Sequence, residues 1–119
     1  MARIVRAGEA KDLGLRGRVS KEIISGANGS DSVTLRLVEI PIAAPDDPPR
    51  KPHSHADCEE CIHVLSGRGV FCTDDGEQKV GPGDTVLVPP RQFHFMRNAG
   101  GSPLLLLCFF PVSDLQSHG

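Results

Sequence analysis

His53-Ser54-His55-Ala56-Asp57-Cys58-Glu59-Glu60-Cys61-Ile62-His63-Val64-Leu65-Ser66-Gly67 is the stretch on which the reading of this 119-residue chain turns. His53 and His55 stand two apart, so in an extended segment both imidazoles leave the same face and make a two-pronged chelate. Glu60 opens an apolar run and shares strand parity with Ile62 and Val64. A carboxylate heading such a face needs a partner, because an unpaired buried charge is expensive. A second segment, Gly83-Asp84-Thr85-Val86-Leu87-Val88-Pro89-Pro90-Arg91-Gln92-Phe93-His94-Phe95-Met96-Arg97-Asn98, puts His94 just beyond another apolar strand at 85–89. Only a folded sheet closes the distance between the two segments. Glu59 competes with Glu60 for the inward role; parity favours Glu60 and leaves Glu59 outside.

Three imidazoles and one carboxylate suit a borderline divalent metal. The two segments resemble the two motifs of the cupin superfamily. The first motif carries two histidines around one residue, a glutamate after a gap of three or four, and a glycine beyond six more; His53, His55, Glu60 and Gly67 meet it. The second wants glycine, proline, histidine and asparagine, met by Gly83, Pro89, His94 and Asn98. Two positions depart from the pattern, Asp47 and Arg91 standing where the motifs have glycine. The resemblance implies an all-β fold, an antiparallel double-stranded β-helix (jelly-roll) barrel. It also implies one divalent transition metal per chain (Fe, Mn, Ni, Co or Zn) on His53, His55, Glu60 and His94, and no further cofactor.

Composition narrows the function classes. A chain of this length is one domain with one core. Charged residues make up 24% and the formal net charge is −2, which argues against a nucleic-acid partner. The longest apolar run, Leu104–Phe110, is far too short to span a membrane. The N-terminus lacks the apolar core of a secretory signal, so a cytoplasmic location is expected. Of the four cysteines, Cys72 and Cys108 sit in apolar runs and read as small hydrophobes. Cys58 and Cys61 form C-x-x-C without a second pair to complete a zinc knuckle, so free thiols are expected.

In chain order, residues 1–18 read as an N-terminal arm, 19–113 as the barrel and 114–119 as a tail whose His118 is a surface residue. Strands are expected at Val19–Ile24, 32–42, Glu60–Ser66, 70–73, 78–80, 85–89 and Leu104–Phe110. Asn28-Gly29 and Asp74-Asp75-Gly76 signal hairpin turns. The 46–52 segment, rich in proline and charge, is a stiff connection into His53. Leu104–Phe110 lacks alternation, which predicts a strand covered on both faces, one of them by a second subunit.

Three neutral histidines and one carboxylate leave a divalent centre at +1, a charge that attracts an anionic chelator. The expected function is that of a metal-dependent enzyme on a small oxygenated or carboxylate-bearing metabolite. Oxidative, dioxygenase-like oxidoreductase chemistry is favoured there over lyase or isomerase chemistry, and a non-enzymatic binding or sensor domain is the alternative. Arg91 and Gln92, flanking the second ligand segment, are the candidate catalytic residues, since an arginine fork pairs well with a carboxylate. The expected working unit is a homodimer assembled through the outer faces of the barrel.

Overall fold

A computed structural model describes residues 1–48 and 50–115. Its elements are short strands bounded by the turn chemistry of the sequence: β1 (Lys11–Asp12), β2 (Val19–Ile24), β3 (Thr34–Ile40), β4 (Glu60–Ser66), β5 (Gly69–Thr73), β6 (Gly76–Val80), β7 (Thr85–Val88), β8 (His94–Asn98) and β9 (Leu104–Phe110). They form two antiparallel sheets, one ordered β1-β2-β3-β9-β4-β7 and the other β6-β5-β8. The arm residues before β2 add strand β1 to the edge of the large sheet, with Lys11 opposite Glu22.

Alternation sets the faces. On β9, Leu104, Leu106, Cys108 and Phe110 are buried while Leu105 and Leu107 are half-buried and Phe109 is exposed. Register carries this parity across the sheet: Val38 lies opposite Leu106, and Leu106 opposite Val64. With Ile40, Ile62, Val88 and Met96 these residues make one core between the sheets. Each fully buried aliphatic side chain contributes about 1.5–3 kcal/mol. The apolar run of β9 therefore has one core face within the chain and one outer face that is only partly covered.

The expected closed barrel is not formed. The two sheets stay separate, and a groove of about 670 Å³ runs between β6 and β7, lined by Glu77, Lys79, Thr85 and Leu87 among others. Proline also limits the length of the ladders. Pro89 and Pro90 follow β7 directly and cannot extend it by donating hydrogen bonds. The segment after Pro52 pairs with β8 only through an isolated bridge between His53 and His94. The architecture is thus an open arrangement of two antiparallel sheets and not the expected jelly-roll barrel.

Two turns differ from or refine their sequence reading. Asn28-Gly29 is not a two-residue hairpin; Gly26–Asn28 is a 3-10 turn capped by Ser25, and Gly29 follows at φ 110°. At Gly67 the chain needs φ 86°, and a Cβ there would lie 2.6 Å from the Pro103 carbonyl oxygen. His118 and most of the tail lie outside the described residues. No helix among the described residues is long and apolar enough to cross a membrane.

Candidate metal centre

Glu60 is the first residue of β4, opposite Val88, and its side chain is only 4% exposed. Glu59, on the other parity, is exposed. His94 opens β8 opposite Thr73 and is 1% exposed. His53 and His94 exchange two backbone hydrogen bonds, each 2.9 Å, which puts the short His53–His55 segment beside the start of β8. The Arg91 amide donates to the His55 carbonyl at 2.8 Å and ties the other end of that segment to the turn before β8. Local backbone pairing therefore brings residues 53, 55 and 94 to one place, and the β4 ladder carries residue 60 there.

The side chains converge. Nε2 of His94 lies 3.1 Å, and Nε2 of His55 3.2 Å, from Oε1 of Glu60. One donor atom from each of His53, His55, Glu60 and His94 lies within 4.8 Å of all the others. Bonds of about 2.1 Å to a six-coordinate ion would place adjacent donors about 3.0 Å apart and opposite ones about 4.2 Å apart, so the set matches in size. Nδ1 of His94 is 2.8 Å from the Gln92 carbonyl oxygen and donates to it. In the neutral ring Nε2 then carries a lone pair aimed at a carboxylate oxygen, an arrangement that only a proton or a metal cation between them relieves. Phe71 stacks on His94 and Phe110 meets His55 edge-on, holding both rings in orientation.

The protonation states fit ligation. Burial is the main cause that lowers His53 to about 4, reinforced by His94, so its ring is proton-free at neutral pH. Burial would raise Glu60, but hydrogen bonds and charge from the His55 and His94 rings in their protonated form outweigh it and hold the carboxyl at about 2; with neutral rings a bound cation would take the place of that proton. Cys108, on the same inner face, is pushed well above its ordinary value by burial and then by Glu60. It is a thiol beside the cluster and not a competing thiolate. The four residues form a buried set capable of coordinating one divalent transition-metal ion.

The cluster forms one wall of a cavity of about 200 Å³. At about 30 Å³ per water molecule this is room for roughly seven, the scale of a small metabolite. Leu15, Lys51 and Pro52, exposed members of the lining, mark its mouth. Arg18, Arg36 and Arg50 also line it, and sequence reasoning missed all three. The available signals were the shared parity of Arg18 with Ser20 and Glu22, and the position of Arg50 three residues ahead of His53.

The other sequence candidates lie elsewhere. Arg91 is exposed and is the only described non-glycine residue with positive φ, 66°, at the position where the family motif has glycine. Gln92 lines the groove between β6 and β7 and not the cavity that holds the cluster. His63 points outward, with Nδ1 2.8 Å from Thr85 Oγ1. All four cysteines are free thiols.

Comparison with known proteins agrees with the geometry. A family model for the cupin domain matches residues 36–110. Glucose-6-phosphate isomerase of Thermococcus gammatolerans is 33% identical over 72 residues, which cover 56% of this chain and 38% of that protein. The chain spans no more than about half the length of the curated relatives it matches. Among solved structures, the polyketide cyclase RemF from Streptomyces resistomycificus superposes with a TM-score of 0.78 at 22% identity, covering 100% of this chain and 85% of that one. A cupin-superfamily sugar phosphate isomerase from Silicibacter pomeroyi gives 0.65 at 26% identity, covering 80% and 59%. Two of these proteins are named as isomerases and none of the three as a dioxygenase or other oxidoreductase, so the leaning toward that chemistry is corrected. With its two motifs assembled into one buried donor set and its matched region covering most of the chain, the protein belongs to the cupin-domain family.

Proposed function

We propose that the protein is a metal-dependent enzyme of the isomerase or lyase type, acting on a small oxygenated, anionic metabolite. The observation that carries this reading is the buried three-histidine, one-carboxylate cluster on the wall of a small cavity with arginines in its lining. His53, His55, Glu60 and His94 hold the ion. Once bound, such an ion polarises a carbonyl or carboxylate oxygen as a Lewis acid. The chain's own part is positioning. The Gln92 carbonyl fixes the His94 ring through Nδ1, and the Arg91 amide fixes the His55 backbone, so these two residues act as positioning residues through the main chain. Met96, Leu106 and Phe110 supply an apolar wall that keeps bulk water from the bound group. The isomerase names of two relatives support this reaction class over others.

The test is solvent-deuterium exchange and product formation, followed by NMR. Protein loaded in turn with manganese, cobalt, nickel, zinc and ferrous ion is incubated with 2-hydroxy acids, 2-keto acids and sugar phosphates. Metal-dependent exchange or conversion that is insensitive to removal of oxygen is expected. Tight binding with no exchange on any of these would favour a binding domain instead. One observation favours that second reading: apart from the cluster, the described residues of the cavity lining include no carboxylate to serve as a proton acceptor.

We further propose that two copies pair through the outer face of the large sheet. Leu35, Phe109, Cys61 and Leu87 lie side by side in register there, with Leu87 61% and Phe109 38% exposed. A closed two-fold pairing covers such a row. Light scattering over a dilution series should give twice the 12.7 kDa chain mass; the monomer mass at every concentration would end this proposal.

A further inference from the structure

The cationic half of the cavity asks for more negative charge than one chelating group brings. Glu60 is the only acidic residue among the described lining, against Arg18, Arg36, Arg50 and Lys51. Arg36 is already neutralised, since its Nε and Nη2 lie 3.2 and 3.0 Å from Oε1 of Glu22. The other oxygen of Glu22 accepts from Ser25 Oγ at 2.9 Å, so both oxygens of that carboxylate are already engaged. Neither Arg18 nor Arg50 has an ion pair among the described residues. Nη1 of Arg50 is buried and has no hydrogen-bond partner.

A buried guanidinium nitrogen without an acceptor is costly, and a second arginine of like charge nearby adds to the cost. The two line one cavity of about 200 Å³ together with His53 and Glu60, and Arg18 is the like charge that helps lower Arg50. The positive groups therefore face the same cavity as the metal cluster. A divalent ion with Glu60 and three neutral histidines carries +1; Arg18 and Arg50 raise this to +3 before Lys51 at the mouth is counted. A monoanion that chelates the ion leaves the two guanidinium groups uncompensated.

We infer that Arg18 and Arg50 form an oxyanion clamp that selects substrates bearing a second anionic group, phosphate or carboxylate, beyond the group at the metal. The planar guanidinium fork suits either oxyanion, and charge-assisted hydrogen bonds are the strong ones in a partly desolvated cavity. The metal-chelating half of this statement rests on the function proposed above; the clamp itself does not.

Calorimetric titration of manganese-loaded protein with two matched pairs tests it. Glycerate and 3-phosphoglycerate share a 2-hydroxycarboxylate head and differ by a phosphate; lactate and malate differ by a carboxylate. The doubly anionic member of at least one pair should bind about ten-fold tighter or more, and which pair shows the gain identifies the anion. In Arg18→Met and Arg50→Met the gain should vanish, while metal content and glycerate affinity stay within about three-fold. A wild-type protein with no preference, or a preference that survives both substitutions, overturns the clamp. Metal-free protein separates the two proposals. Inorganic phosphate should still raise its melting temperature, and Arg18→Met/Arg50→Met should abolish that rise. Phosphate stabilisation without any metal uptake would leave the clamp standing and remove the metal enzyme; metal uptake without phosphate stabilisation would do the reverse.

Discussion

Replacing Glu60 by glutamine changes one charge and almost no volume at the centre of the cluster. In the metal-free protein the carboxyl is held at about 2 against an ordinary value of 4.5. At about 1.4 kcal/mol per tenfold change, that difference amounts to roughly 3 kcal/mol of stability at neutral pH. The sign follows from the lowered value. The folded state binds the proton less well than the unfolded state, so the contribution is fully present above 4.5 and is lost as pH falls through about 2. A glutamine keeps neutral hydrogen bonds worth about 1 kcal/mol, leaving a net loss of about 2 kcal/mol in the metal-free protein. For a domain of this size the melting temperature should fall by about 8 °C.

The effect on the metal is larger, because the variant removes the only anionic donor and leaves three neutral rings around a dication. Loss of residues that merely support metal ligands costs about 10- to 100-fold in affinity, and a ligand itself should exceed that. Competition with a chromophoric chelator and elemental analysis would measure it. Glu59→Gln is the control: its exposed carboxylate should leave stability within about 0.5 kcal/mol and metal content unchanged. Retention of metal by Glu60→Gln together with its loss from Glu59→Gln would refute both the parity argument and the assignment of the buried carboxylate.

Three further outcomes are expected. Arg91→Gly should raise the metal-free melting temperature, since relief of a left-handed side-chain conformation at φ 66° is worth about 1–2 kcal/mol and exceeds the entropy cost of glycine; a fall in melting temperature would show that the arginine side chain carries a contact that matters. Gly67→Ala should cost about 2–4 kcal/mol, because its Cβ would meet the Pro103 oxygen at 2.6 Å and Leu104 Cα at 2.9 Å with φ at 86°, and chemical denaturation should show it as a lower midpoint with an unchanged slope. His53, lowered to about 4 by burial and then His94, leaves the metal-free fold at full stability above its unfolded value of 6.5 and costs stability progressively as pH falls through about 4; His53→Gln should accordingly flatten the fall in melting temperature between pH 6.5 and 4, and an unchanged profile would contradict the lowered ring.

How much of this was legible in the sequence depends on the kind of interaction. Strands Val19–Ile24, Glu60–Ser66 and Leu104–Phe110 have the bounds that side-chain pattern and turn residues predict. The cluster was legible for the same reason, since strand parity says which side of the chain Glu60 faces before any partner is known. Closure of the barrel was not, because β6 and β7 are separated only by residues 81–84 and still do not pair, and no periodicity within either strand reports whether neighbours in sequence share a ladder. Arg18 and Arg50 escaped notice because arginines in connecting segments read as solvent-facing; only the assembled cavity shows them turned inward. Arg91 is the converse case. Its place in a glycine position signalled a backbone constraint, and the structure puts the left-handed residue there, with the side chain exposed.

The manner in which the sandwich is open bears on what the metal would do for the fold. The small sheet has two edges. Along β6 there is the groove beside β7. Along β8 lie the ties to the rest of the molecule: Arg91 N to His55 O, the paired bonds between His53 and His94, and Asn98 Nδ2 to Ile40 O at 3.0 Å on the large sheet. The donor set sits on that tied side, with Glu60 from the large sheet, His94 from the small sheet and His53 and His55 from the segment between them. An ion held by all four would join both sheets at the side where backbone pairing is sparse but already begun. Its binding energy would therefore appear as stability of the sheet-to-sheet arrangement, growing with free metal as RT ln(1 + [M]/Kd). The groove side, which shares none of the donors, would gain least, so amide-exchange protection on metal loading should rise in β4 and β8 ahead of β6.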